Sequence, residues 1–487
     1  MARRSLDLRS SVRAAVAPGL RLLLFWRRLT APSLFVASFL LLIAIGTLGL
    51  MLIPGLQVGP KLGFVDSVFT MTSAVCVTGL VVADTATQFT GLGQAWILLF
   101  IQLGGIGLIS LTTLLIGAMG KRLSLRSEML VAAPIRSEDR PQVWELTVAV
   151  TKFSLIVEAV GAVLLFLTWL PDLSVGDAAW AGLFHSVSAY CNAGFSTFTT
   201  SLIDHSHNPI ALFVVSVLVI MGGLGYLTFN EIVRWWKTAR ARRAGVRLEI
   251  TSSRRLSSHT WAVVTTTGVL LVAGWILFAI FEWNQVLGDL SVFDKISNAW
   301  FLSVTPRTAG FNNVDYTQVG NDTAALTMLL MFIGGSPGST AGGIKTTTVA
   351  VLVALGLSRF RGRKYVALKE RAIPPGTIER TVGIVLVAMF VLAVSFFAIS
   401  AIEAVGQSAA TSRTEFLPIA FEVVSAFATV GLSMNFTSEL EAPSKLIVAG
   451  LMFVGRVGLF SFLAAVMLRR PQPPGFQRPA QEDLIVG

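Results

Sequence analysis

Four times along the chain, a long apolar run is followed by a shorter one, a glycine-bearing run and a second long apolar run. The long runs lie near 34–53, 95–118, 147–170, 209–229, 262–283, 324–355, 382–404 and 446–468. About 20 apolar residues cross a bilayer as a helix. The short runs near 64–75, 178–191, 294–305 and 416–428 fall below that length and read as re-entrant segments. They end in Val77-Thr78-Gly79-Leu80, Asn192-Ala193-Gly194-Phe195, Thr308-Ala309-Gly310-Phe311 and Thr429-Val430-Gly431-Leu432, with glycines spaced by 115, 116 and 121 residues. Related segments precede them, such as Phe69 to Ala74, Phe184 to Ala189, Trp300 to Thr305 and Phe421 to Ala426. A near-constant period of this kind marks internal repetition.

The predicted fold is therefore an all-α polytopic membrane protein. Four tandem span–pore helix–span repeats place eight transmembrane helices and four re-entrant pore helices around one central pore. Composition agrees: 13% of the 487 residues are charged, against about 25% in soluble domains. The formal net charge of +11 could suggest nucleic acid, but its distribution reads as topology. Thirty of the 38 Lys and Arg fall in the N-terminus through Arg28, 121–140, 234–255, 359–380 and the tail after Leu468. All five lie on one side of an eight-span chain, and the opposite loops carry acids such as Asp66, Asp172, Asp204, Asp294 and Glu441. The positive-inside rule puts both termini in the cytoplasm of a multi-pass cell-membrane protein and the glycine motifs near the outer face. No nucleic-acid partner is expected.

The boundaries follow. A basic N-terminus (1–33) precedes repeat 1 (34–120) and a cytoplasmic loop (121–145). Repeat 2 (146–235) and a second loop (236–260) lead to repeat 3 (261–356), which contains a Gly-rich intramembrane loop (334–345). A third loop (357–380), repeat 4 (381–468) and a cytoplasmic C-terminus (469–487) complete the chain. The run at Leu34 is long enough to be a span and lacks a cleavage-type site.

Enzymatic chemistry finds no foothold. Two cysteines, Cys76 and Cys191, and four scattered histidines give no metal-ligand spacing, and HExxH and CxxC are absent. Gly334 to Lys345 imitates a phosphate loop, but Ile344 separates Gly343 from Lys345 and no strand precedes it. No covalently bound cofactor is expected.

Non-helical backbone at membrane depth must be buried in protein or line a wet cavity. Four such segments at equivalent depth point to one axis, where backbone carbonyls can replace the water shell of an ion. Glycine accepts the backbone angles this requires. The preceding helices present their negative C-terminal ends, which favours a cation.

These motifs, in this order, resemble the superfamily of Trk, Ktr and HKT potassium transporters. The phrases Ser188 to Ser196, Arg307 to Asn312, Ala428 to Ser433 and Gly334 to Thr346 carry the likeness, which covers roughly residues 34 to 468. The absence of two extra N-terminal spans makes the Ktr membrane subunit the closer match. The resemblance implies potassium as the transported ion, bound by a filter of Val77, Thr78, Gly79, Asn192, Ala193, Gly194, Thr308, Ala309, Gly310, Thr429, Val430 and Gly431. Sodium-preferring HKT members have serine at the first filter glycine, where this chain has Gly79. Val77 and Asn192 replace the threonine of a tetrameric channel filter, so one well-formed site with weaker neighbours is expected.

The resemblance also implies a gate below the filter, formed by Gly334, Gly335, Ser336, Pro337, Gly338, Gly342, Gly343 and Lys345, with Arg456 as an electrostatic barrier. A kinked, tightly packed helix is the structural alternative for the loop, and a buried salt bridge for Arg456. Further implied are a homodimer, a cytosolic nucleotide-binding regulatory ring carrying any ATP or ADP, and sodium dependence as a family trait. A sodium-permeable or less selective cation channel and an ion-coupled symporter are the alternatives. Among other residues, Glu158 is expected to pair with Lys152, His185 to pack, Glu422 and Asp66 to brace the filter, and Arg307 to hold its third strand. Trp26, Trp235, Trp236 and Trp261 read as interfacial anchors in contact with membrane lipid.

Overall fold

The computed structural model describes residues 31–118, 140–244, 256–369 and 371–458. The basic segments 1–28 and 121–139, the tail after Leu468 and Trp26 lie outside the described residues.

The first unit comprises α1 (Ala31–Leu52), α2 (Phe64–Val75) and α3 (Gly91–Ala118). The second holds α4 (Arg140–Trp169), α5 (Val175–Tyr190), α6 (Pro209–Leu224) and α7 (Tyr226–Arg243). The third holds α8 (Ser258–Glu282), α9 (Val292–Val304), α10 (Asn321–Phe332) and α11 (Thr346–Phe360). The fourth holds α12 (Pro375–Glu403), α13 (Ala409–Ala428) and α14 (Ala442–Val457). A two-strand hairpin, β1 (Ala367–Leu368) with β2 (Arg371–Ala372), precedes α12 and is a small departure from the all-α expectation.

Local chemistry starts the short helices. Ser174 and Ser291 cap α5 and α9 by accepting from the N–H of Asp177 and Asp294, and their hydroxyls donate back to those carboxylates at 2.7 and 2.8 Å. Ser408 caps α13 in the same way without an acid. Such caps satisfy helix donors that have no intrahelical partner.

The leading helices of the four units contain windows long and apolar enough to cross a membrane: Phe35–Leu52, Thr147–Trp169, Ser258–Glu282 and Pro375–Glu403. Each keeps an exposed apolar stripe. On α4 it runs through Ile156, Val160, Val163 and Leu167, and on α12 through Leu386, Phe390, Val394 and Phe397. This is helical spacing on a face that hydrocarbon, not water, solvates.

Among the trailing helices, α6 and α14 stop inside runs expected to be continuous spans, while the third unit breaks where the Gly-rich loop is expected. α6 stops at Gly225, where φ is +74°, and α7 leaves at 98° to it. Sixteen residues rise only about 24 Å, short of a bilayer core of about 30 Å. α10 ends at Phe332, the chain is non-helical until Lys345, and α11 begins at Thr346. α14 ends at Gly458, again at positive φ. Glycine tolerates this left-handed geometry, which a side chain resists, and the helix cannot continue through it.

Each short helix packs inside its own unit, and α14 also packs on α2, joining the last unit to the first. Lys445 of α14 donates to Asp66 of α2 at 2.9 Å, an ion pair spanning 379 residues.

Candidate functional site

The four short helices α2, α5, α9 and α13 bring the glycine motifs together. A Cβ built on Gly79 would lie 2.5 Å from the carbonyl oxygen of Ala193, and one on Gly194 would lie 2.8 Å from that of Ala309. On Gly310 and Gly431 it would strike the Val430 and Thr78 oxygens closer still. The contacts run from unit one to two, two to three, three to four and four back to one, which closes a ring. At every step the second-position carbonyl of one motif faces the glycine of its neighbour.

The ring backbone is left-handed at two positions per unit. The glycines have φ of +97°, +70°, +80° and +96°. The residues two places earlier, Val77, Asn192, Thr308 and Thr429, are also left-handed, at +49°, +58°, +70° and +51°. Three of these are β-branched, for which positive φ is an outlier costing of order 1–3 kcal/mol. Such strain persists only where the surroundings over-determine it, and it clusters at functional sites.

Hydroxyls at the ends of the short helices supply part of that determination. Ser73 and Ser425 accept from the N–H of Gly79 and Gly431, each at 3.1 Å. Ser188 and Thr305 donate to the carbonyls of Phe195 and Phe311, each at 2.7 Å. Their signal lay in the sequence, since a Ser or Thr recurs five or six residues before each glycine. Ser73→Ala leaves the buried Gly79 N–H without its partner. The expected cost is about 1–3 kcal/mol, read as a lower unfolding midpoint in detergent; an unchanged midpoint would mean the hydroxyl does not hold the strand.

Other predicted side chains find varied partners. Glu422 accepts from Ser433 at 2.9 Å and Thr437 at 2.5 Å, bracing the limb beyond the fourth motif. His185 packs on Phe198, with its ring nitrogens 2.8 Å from Ala181 O and Ser196 Oγ. Arg307 does not grip the third motif. It reaches the Gly334 carbonyl at 3.2 Å and Thr267 at 3.5 Å, tying the loop to α8. Glu158 accepts from Gln102 at 2.8 Å and not from Lys152. Six residues apart on a helix of 3.6 residues per turn, the two face different ways; Glu158 is buried and Lys152 exposed.

The segment 333–345 lies against the first-position face of the ring. Its ends pair at Ile333 and Ile344. Ser336 N–H donates to Gly223 O at 2.9 Å and Thr340 N–H to Gly222 O at 3.3 Å, so the loop runs along the end of α6. The Thr340 hydroxyl lies 3.1 Å from both Tyr190 O and Asn192 Oδ1. Gly342 has no room for a Cβ beside Thr429 Oγ1. The loop thus touches motifs two and four at once. Gly338 and Gly343 supply its left-handed turns, at φ of +72° and +63°.

Two cations fix this loop through backbone carbonyls. Lys345 Nζ donates to Ala341 O at 2.6 Å within the loop. Arg456, buried on α14, donates to Thr340 O of the loop and, at 2.7 Å, to Gly104 O of α3. Among the described residues Arg456 has no acidic partner, so the salt-bridge alternative gives way to carbonyl contacts.

A further repeat went unread in the sequence. Gly104-Gly105-Ile106-Gly107, Gly222-Gly223-Leu224-Gly225 and Gly334-Gly335-Ser336-Pro337-Gly338 correspond to Gly455-Arg456-Val457-Gly458. Gly104, Gly222 and Gly455 pack on the carbonyls of Val75, Tyr190 and Phe427, leaving no room for a Cβ. Arg456 therefore stands where the other units have a second glycine, and from there its guanidinium reaches units three and one.

The chain is similar to known cation transport proteins. Residues 28–478 match the TrkH family, described as a cation transport protein. The chain is 32% identical over 462 residues to the potassium/sodium uptake protein NtpJ of Enterococcus hirae, covering 95% of this chain and 98% of that one. It is 34% identical over 442 residues to the Ktr system potassium uptake protein B of Bacillus subtilis, covering 90% and 93%. The crystal structure of the potassium transporter TrkH from Vibrio parahaemolyticus has the same fold, with a TM-score of 0.68 at 17% identity, covering 89% of this chain and 83% of that one.

Proposed function

The chain belongs to the TrkH family of cation transport proteins, and we propose that it takes up potassium through a central pore whose filter is the ring of glycine motifs. One observation carries this reading: the second-position carbonyls of Thr78, Ala193, Ala309 and Val430 and the four glycines form a closed circle. A dehydrating cation needs fixed oxygens in place of its water, and a ring of carbonyls provides them. The helices ending at the ring turn their negative poles toward it. The relatives named for potassium uptake support the choice of ion. Glycine at all four positions, Gly79 included, favours potassium over sodium.

In this reading each unit is one span–pore helix–span repeat with the boundaries given above, the trailing span being broken in units two and three. The loop 334–345 is the gate. Conduction requires it to leave Asn192 and Thr429, and Lys345 and Arg456 hold it in place. The chain acts as the membrane subunit of a homodimer with cytoplasmic termini. A separate cytosolic ring regulates it and carries ATP or ADP.

The test is flux into liposomes holding the purified protein. A potassium gradient alone should drive uptake, with rubidium admitted and sodium and lithium largely excluded. Flux that demands a sodium or proton gradient would replace the channel-like route with symport. Gly79→Ser should shift preference toward sodium; an unaltered preference would contradict the filter assignment.

A further inference from the structure

Among the described residues, α7 is the one helix at a trailing-span break that carries a cluster of cations. Its first turns are docked: Tyr226 and Phe229 pack on Phe153 of α4 with ring centroids 5.6 and 4.8 Å apart. The Glu231 carboxylate accepts from Ser257 N–H at 2.6 Å and from its hydroxyl at 2.8 Å, anchoring α7 to the start of α8. Arg234, Trp235, Trp236, Lys237 and Arg240 are all exposed. Trp235 and Trp236 are 40% and 55% exposed, and the Arg240 guanidinium lies 5.4 Å from the Trp236 ring centroid. Among the described residues Arg234, Lys237 and Arg240 have no ion-pair partner.

We infer that α7 is a binding surface for anionic lipid headgroups of the inner leaflet, and that its seating there is transmitted to the intramembrane loop. The 98° bend turns α7 across the axis of α6, so with α6 along the bilayer normal α7 lies roughly parallel to the bilayer plane. Arg234, Lys237 and Arg240 follow at three-residue steps, so Lys237 adjoins each of the other two and the three cations spread over an arc of about 120°. Two adjacent tryptophans suit the headgroup boundary, where amphipathic rings settle. Basic residues with exposed aromatics on an in-plane helix match an anionic bilayer surface. An acidic soluble protein would be met by the cations but leaves the paired tryptophans without a role.

Transmission follows from the hinge. A Cβ on Gly225 would lie 3.0 Å from Gly338 O and 3.2 Å from Ser339 Cα. The loop's Ser336 and Thr340 N–H groups donate to Gly223 and Gly222, just before that hinge. A tilt of α7 toward the lipid therefore acts on the loop's own hydrogen-bond partners. The second half of the proposal rests on the transport reading above; the first does not.

The experiment uses the full chain, wild type and Arg234→Gln/Lys237→Gln/Arg240→Gln. Each is reconstituted in phosphatidylcholine vesicles with or without phosphatidylglycerol. Lipid retained through detergent washing is measured by mass spectrometry, and potassium flux is measured in parallel. Wild type should prefer phosphatidylglycerol, and flux should rise with it. The triple variant should lose that preference by about tenfold or more and lose the stimulation, while keeping its flux in phosphatidylcholine. Equal preference in the two proteins overturns the surface, as does a variant that loses only binding to a soluble acidic protein. Lost preference with retained stimulation overturns the transmission. If wild type carries no flux in any vesicle, the transport reading and the transmission fall, and lipid retention alone decides the surface.

Discussion

Gly310→Ala should cut potassium flux by about a hundredfold or more while the protein still folds. Two costs combine. The left-handed angle of +80° penalises a side chain by about 1–2 kcal/mol. The new methyl must also displace the Val430 carbonyl, against which it would be built. Relief comes by turning the Gly310 backbone or moving the Val430 oxygen, and either change breaks the circle. A combined penalty of about 3 kcal/mol corresponds to roughly a hundredfold in the population of the intact ring. Gly268→Ala is the matched control. That glycine lies in α8 with no neighbour within 4 Å of an added Cβ, and its flux should be unchanged. Potassium uptake into liposomes, normalised to folded protein, compares the two. Wild-type flux in Gly310→Ala would remove the ring from the conduction path.

Arg456→Ala has the second-largest expected effect, in the opposite direction. The guanidinium joins the loop at Thr340 to α3 at Gly104. Hydrogen bonds to charged groups contribute about 1.5–3 kcal/mol each. Losing the bond to the loop should raise basal flux by about tenfold to a hundredfold, and the stranded carbonyls should lower thermal stability. Arg456→Lys separates bridge from barrier. It keeps the charge, but one ammonium on a shorter head cannot reproduce the two-pronged span. A bridge predicts raised flux for both variants; a pure electrostatic barrier predicts it for alanine alone. Excising Gly335 to Lys345 should likewise raise flux, and unchanged flux from a folded protein would contradict a gate.

The ring was legible in the sequence because its chemistry is repeated. Left-handed backbone needs glycine at 79, 194, 310 and 431, so the spacing alone located them. The strain at Val77, Asn192, Thr308 and Thr429 was not legible, because valine and threonine ordinarily signal extended chain. The break at Gly225 was hidden for a related reason. Hydropathy continues through Leu224 to Phe229 while the backbone turns by 98°, and the turn is packed against a loop more than a hundred residues later. The Gly334–Lys345 interruption was visible through its proline and glycines. Its partners Gly222, Gly223 and Tyr190 were not, since they come from another unit and act through backbone oxygens. Arg456 stood out as a charge in an apolar run, yet its carbonyl partners could only come from the fold.

The central claim is that the ring binds the transported ion, and diffraction with a heavy potassium analogue tests it most directly. Crystals of the protein grown with rubidium or thallium should show an anomalous peak on the axis enclosed by the Thr78, Ala193, Ala309 and Val430 carbonyls, displaced by added potassium. No peak within the ring, with ordered analogue bound elsewhere along the pore, would contradict it.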